Sequence, residues 1–95
     1  MDFLYADWCP HCQAMKPIVA RIASQLPADR FAVNYYSEAD ANAGKEAAAM
    51  FAKYGLQSYP TFVINGNDQK VGEMPESEFL AWVCSKFSPP KPSGC

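Results

Sequence analysis

Cys9 and Cys12 stand where a short apolar run, Phe3-Leu4-Tyr5-Ala6, gives way through Asp7 and Trp8 to a helical pattern. A short apolar run bounded by polar and turn-forming residues reads as a buried strand. From Cys12 onward Met15, Ile18, Val19, Ile22, Ala23 and Leu26 recur at helical spacing and form one apolar stripe. The strand therefore passes into a helix across the cysteine pair, and each needs another layer to bury its apolar side. Pro10 suits the first helical turn. Pro17 removes a backbone donor inside the helix and predicts a kink, and Pro27 closes the element.

The rest of the chain supplies the partners. Phe31 to Tyr36 is rich in aromatic and β-branched residues and predicts a second strand with Phe31, Val33 and Tyr35 on one face. Ala43, Ala47, Met50, Phe51 and Tyr54 make a second helical stripe, with Asp40 and Asn42 as caps, Gly55 as the stop, and Met50, Phe51 and Tyr54 expected in the core. Thr61 to Ile64 is a strong strand signal, Asn65-Gly66-Asn67-Asp68 is turn chemistry, and Lys70 to Gly72 returns as an antiparallel edge strand. A last helix from about Ser77 to Phe87 places Leu80, Val83, Cys84 and Phe87 on one face. The order βαβαββα predicts an α/β fold, a mixed sheet of about four strands flanked by helices. With 95 residues there is room for one core, expected over 1–87, and 88–95 reads as a flexible Pro-rich tail.

A thiol becomes a nucleophile on losing its proton, and free N–H groups at a helix start favour the thiolate. Cys9 takes that position as nucleophile. Cys12, one turn later, brings its sulfur alongside as the resolving thiol. His11, when protonated, adds positive charge beside the Cys9 thiolate and tunes the couple. The alternative for such a pair is half of a zinc or iron-sulfur site. Cys84 and Cys95 do not stand at the spacing of a second ligand pair, so no metal is expected. Cys84 reads as a buried inert thiol and Cys95 as a bystander on the tail, since a bond between them needs Cys84 to turn outward. Ten acids and eight bases are scattered without a basic block, which argues against nucleic acid as a partner. No apolar run is long enough to span a bilayer, and no leader precedes Asp2, so the cytoplasm is the default expectation.

Leu4-Tyr5-Ala6-Asp7-Trp8-Cys9-Pro10-His11-Cys12, Met15-Lys16-Pro17 and the distant Tyr59-Pro60-Thr61 together resemble the thioredoxin superfamily over nearly the whole chain. The Ala-x-Trp before the motif is similar to thioredoxins and protein disulfide isomerases, the Pro-His pair to periplasmic disulfide oxidases, and Phe62 to Gly66 to glutaredoxins. The resemblance implies a thioredoxin-like fold and an enzyme that exchanges protein disulfides, in which Cys9 attacks and Cys12 resolves the mixed disulfide. It also implies that Pro60 is cis against the cysteine pair, that Tyr59, Pro60 and Thr61 meet substrate, and that Trp8 flanks the nucleophile. Phe3 stands where thioredoxins carry a buried acid, and Gly72-Glu73-Met74 where glutaredoxins carry Gly-Gly and an acid. The expected redox group is the Cys9-Cys12 disulfide itself with no other cofactor. The expected partners are protein thiols and disulfides and a recharging redox partner, met by a monomer. Two alternatives stay open, a glutathione-dependent glutaredoxin-like reductase and a non-enzymatic metal-binding or interaction module.

Overall fold

The computed structural model describes residues 1–56 and 58–95. Strand β1 (Asp2–Tyr5) leads to helix α1 (Pro10–Gln25), strand β2 (Asn34–Ser37) and helices α2 (Glu38–Asn42) and α3 (Glu46–Tyr54). Strands β3 (Thr61–Ile64) and β4 (Asp68–Val71) and helix α4 (Glu76–Cys84) complete the chain. The four strands form one mixed sheet in the order β2-β1-β3-β4. β1 runs parallel to β2 and antiparallel to β3, with Phe3 opposite both Tyr35 and Phe62. The α/β fold read from the sequence is the fold observed, with one further short helix.

Neighbouring side chains on a strand face opposite ways, so β1 and β3 feed two layers. Phe3 and Phe62 face α1 and α4, where they join Met15, Val19, Ile22, Leu26, Phe79 and Val83 in the main core. Leu4, Thr61 and Val63 point the other way and are also buried. On that side the Tyr54 hydroxyl of α3 donates to the Asp2 carboxylate at 2.6 Å. Central strand β3 lacks a wet face, and all four residues of Thr61–Ile64 are buried.

Several boundaries differ from the sequence reading, each for a local reason. β2 starts at Asn34; Phe31 reaches the core from the preceding loop, and Tyr35, on an edge strand, is 47% exposed. Asp40 and Asn42 do not cap α3 but lie within α2, which Ser37 caps by accepting the Asp40 N–H at 3.1 Å. α3 starts after Lys45 without a side-chain cap, and Gly55 ends it in the left-handed conformation (φ 59°). Only Ala47 of α3 is buried; Met50, Phe51 and Tyr54 are half-buried, because this helix lies toward the β2 edge rather than inside the main core. Asn65 and Gly66 both take positive φ, the hairpin geometry that Asn-Gly favours. β4 begins at Asp68, two residues before the expected Lys70. α4 ends at Cys84, short of Phe87, and buries Phe79, which the expected stripe omitted.

Cys84 and Cys95 form a disulfide with Cα atoms 5.8 Å apart, so Cys84 is not the inert free thiol, nor Cys95 the bystander, expected from the sequence. Residues 88–95 are tied back rather than loose. The Arg30 guanidinium donates to the carbonyls of Pro90 and Ser88 at 2.8 and 3.2 Å, and Lys91 Nζ donates to the Cys84 carbonyl at 2.7 Å. Pro92 is buried, and Gly94 packs so closely that a Cβ there would stand 2.8 Å from the Gln25 carbonyl oxygen. Composition marks a Pro-rich segment as unable to form an element, but it is silent on side chains elsewhere that hold the segment down. With a sequence separation of 11, opening the loop by Cys95→Ser is expected to lower stability by about 3 kcal/mol on chain-entropy grounds. Urea denaturation measures this; an unchanged midpoint would mean that the polar contacts alone hold the tail.

Candidate active site

Cys9 is the N-cap of α1, with extended backbone (φ −84°, ψ 114°), and Pro10 is the first helical residue. The Cys9 N–H donates to the Ala6 carbonyl at 3.2 Å, so the end of β1 fixes where the helix starts. Cys9 Sγ accepts the Cys12 backbone N–H at 3.2 Å. A sulfur at this position stands where Ser or Asp would cap a helix, among donors that lack intrahelical partners. Both cysteines are free thiols, 3% and 0% exposed, packed with Ala6 and flanked by Tyr5 and Tyr59.

Cys12 is set apart from Cys9 by its surroundings. Burial, followed by its hydrogen bond with the Cys9 thiol, pushes the Cys12 thiol up to about 12. The Lys16 ammonium, which also lies 4.4 Å over the Tyr5 ring, acts in the opposite sense with smaller effect. Cys12 therefore holds its proton, while Cys9, also buried, stands beside it at the helix start.

The Tyr59–Pro60 peptide bond is cis, and Pro60 is fully buried. Beside the pair runs a groove of about 630 Å³, lined by His11 and Ile18 of α1, by Tyr59, and by the Gly72–Pro75 loop after β4. His11 is exposed, and its Nδ1 meets Glu73 Oε1 at 2.9 Å across the groove. Trp8, next to Cys9 in the chain, is 67% exposed and stands edge to face with Tyr59. A strand, a helix that starts on a buried cysteine pair, and a cis proline preceded by the Tyr59 that packs against that pair thus meet at one end of the sheet. The family model for thioredoxin matches residues 1–84.

The chain belongs to the thioredoxin family. It is 37% identical over 86 residues to the thioredoxin of Methanocaldococcus jannaschii, which covers 90% of this chain and 92% of that protein. It is 31% identical over 86 residues to a protein disulfide-isomerase of Drosophila melanogaster and 32% identical over 91 residues to the human protein disulfide-isomerase A2. In both cases 90% of this chain matches 17% of the relative, so the chain spans about one sixth of those isomerases. Thioredoxin-family membership places it, at the family level, among thiol-disulfide oxidoreductases.

Among the residues singled out from the sequence, Trp8, Cys9, Pro10, His11, Cys12, Tyr59 and Pro60 gather at this end of the thioredoxin fold. Thr61 does not line the groove: its side chain is buried and its hydroxyl donates to the Ser58 carbonyl at 2.8 Å. Two carboxylates went unread. Glu73 entered only as a departure from the glutaredoxin pattern, and nothing in the sequence points Glu38 toward the site, because its partners lie 30 and 21 residues away. Among the described residues no three His, Cys, Asp or Glu side chains are gathered as a metal site, and Cys84 and Cys95 are already bonded to each other.

Proposed function

We propose that this thioredoxin-family chain exchanges disulfides of protein substrates through the Cys9/Cys12 pair. The observation that carries the reading is the Cys9 sulfur at the start of α1, accepting the Cys12 N–H, with the proton-bearing Cys12 thiol behind it. The Cys9 thiolate attacks one sulfur of a substrate disulfide. The Cys9–substrate bond forms as the substrate S–S bond breaks, and the leaving sulfur departs as a thiolate. Cys12 then loses its proton and attacks Cys9 Sγ. The mixed disulfide breaks, the second substrate sulfur leaves, and Cys9–Cys12 carries the oxidised pair. The substrate has gained two electrons and the chain has lost two; a dithiol partner restores them by the same steps. Net flow in the opposite direction is the reverse sequence, set by the potentials of the two couples.

In this reading Pro10 starts the helix beneath the nucleophile and His11 tunes the charge beside Cys9. The chain at Tyr59, just before Pro60 and Thr61, offers backbone groups to a substrate segment lying in the groove, and Trp8 flanks it. No cofactor beyond the cysteine pair is required, and a monomer contains every part.

Cys12→Ser tests the order of events. The variant is expected to attack normally through Cys9 and then stall, accumulating a mixed disulfide with a protein substrate that non-reducing electrophoresis and mass spectrometry assign to Cys9. Rapid multiple turnover by Cys12→Ser with a protein disulfide would remove Cys12 from the resolving role.

A further inference from the structure

Glu38 is the first residue of α2, and its carboxylate receives donors from two distant parts of the chain. The Trp8 indole Nε1–H donates to Oε1 at 2.8 Å, and the Tyr59 hydroxyl donates to Oε2 at 2.8 Å. Trp8 directly precedes the Cys9 nucleophile and Tyr59 directly precedes Pro60. Their rings meet edge to face with centroids 5.6 Å apart, and Phe51 of α3 supports Tyr59 at 6.1 Å. Tyr59 itself packs against the cluster of Ala6, Cys9 and Cys12.

Burial alone does not hold these two rings. Trp8 is 67% exposed and Tyr59 is only half-buried. An exposed aromatic side chain samples several rotamers unless its polar end is bonded. A carboxylate has two acceptor oxygens, so one Glu38 side chain restrains both aromatics at once. Its charge is well placed to persist, since it sits in the first turn of α2, where the helix end favours an anion. The hydrogen bonds from Trp8 and then Tyr59 hold the Glu38 carboxyl below the usual carboxylate range. Burial, with the bond to Glu38, pushes the Tyr59 hydroxyl up to about 12. Acceptor and donors therefore keep their roles across neutral pH. Among the described residues no hydrogen bond joins Glu38 to either cysteine.

The geometry points to Glu38 as a positioning residue that makes the site selective for polypeptide disulfides: it fixes Trp8 and Tyr59 as one wall beside Cys9. This rests on the exchange reading above. A substrate chain lying along the groove packs on that wall and meets it already ordered, which spares the entropy of fixing two large side chains on binding. A small disulfide reaches the Cys9 sulfur without touching most of it.

The test uses the full chain, Glu38→Gln and Glu38→Ala, with insulin as the protein disulfide and bis(2-hydroxyethyl) disulfide as the small one. In Glu38→Ala the KM for insulin is expected to rise about three- to tenfold, the range of one to two lost hydrogen bonds. The kcat, the rate with the small disulfide and the potential of the Cys9/Cys12 couple are expected to stay at wild-type values. Glu38→Gln, whose amide supplies one acceptor oxygen, should fall between. An unchanged KM for insulin, or an equal loss on both substrates, would overturn the proposal. A separate readout is solvent exchange of the Trp8 Nε1–H by NMR, expected to be slowed in the wild type and to reach the free-indole rate in Glu38→Ala. If the wild type turned over neither substrate, the exchange reading would fall on its own. Slow Nε1–H exchange retained in Glu38→Ala would sink the clamp, whatever the kinetics.

Discussion

Cys9→Ser is expected to reduce disulfide exchange to the uncatalysed background while leaving the fold intact. Serine keeps nearly the same shape at the N-cap and is itself a favoured cap, so α1 loses nothing by the change. The chemistry loses everything: a hydroxyl forms no mixed disulfide, and the thiol that remains, Cys12, is fully buried and held protonated by its burial. The measurement is insulin reduction by dithiothreitol followed by turbidity, beside a thermal melt of the same preparation. Substantial turnover by a folded Cys9→Ser protein would show that the reactive sulfur is Cys12 or that the activity lies elsewhere in the chain. The contrast with Cys12→Ser, which should still form a covalent intermediate, separates the two sulfurs by role.

The second large effect concerns stability. Phe62→Ala is expected to cost about 3 to 5 kcal/mol, the range for removing a buried aromatic ring. Phe62 is fully buried on a central strand, stacked on Phe3 with centroids 5.0 Å apart and against Phe79 at 4.9 Å. It therefore joins β1, β3 and α4 through one side chain. Small domains are stable by only about 5 to 15 kcal/mol, so the loss is a large fraction of the total. For a chain of this size the melting temperature should drop by roughly 4 to 8 °C for each kcal/mol. Chemical and thermal denaturation measure the change. A loss below about 1 kcal/mol would mean that the core repacks, since cavity cost depends on how far a site can collapse.

How much of this was legible beforehand depends on the range of the interactions. The strand-to-helix passage at Cys9, the stripe of α1 and the Asn65-Gly66 hairpin are local patterns, and they were readable because neighbours in sequence determine them. The short helix α2 was missed, since five residues cannot display a helical stripe; its one signal was Ser37 ahead of Glu38 and Asp40, an N-cap with acids in the first turn. The mispositioned core of α3 has a different cause. Periodicity gives the apolar face of a helix but not how deep the helix lies, and Met50, Phe51 and Tyr54 face an edge of the sheet. The cysteine motif was legible as chemistry, but its surroundings were not. Glu38 and Glu73 reach the site only through folding, and a lone glutamate in sequence resembles any solvated surface residue.

The placement of the Cys84–Cys95 bond also bears on how the protein survives its own chemistry. A disulfide exchanger that carries a second disulfide risks attacking it. Here the tail that bears Cys95 packs at the far end of α1, with Gly94 against the Gln25 carbonyl, while Cys9 sits at the near end. Sixteen helical residues separate the two ends, which is roughly 24 Å at the helical rise. No side-chain motion spans that distance, so scrambling within one molecule would first require the segment that carries Cys95 to leave its place on the fold. The helix that starts on one sulfur pair thereby keeps the other at its far end.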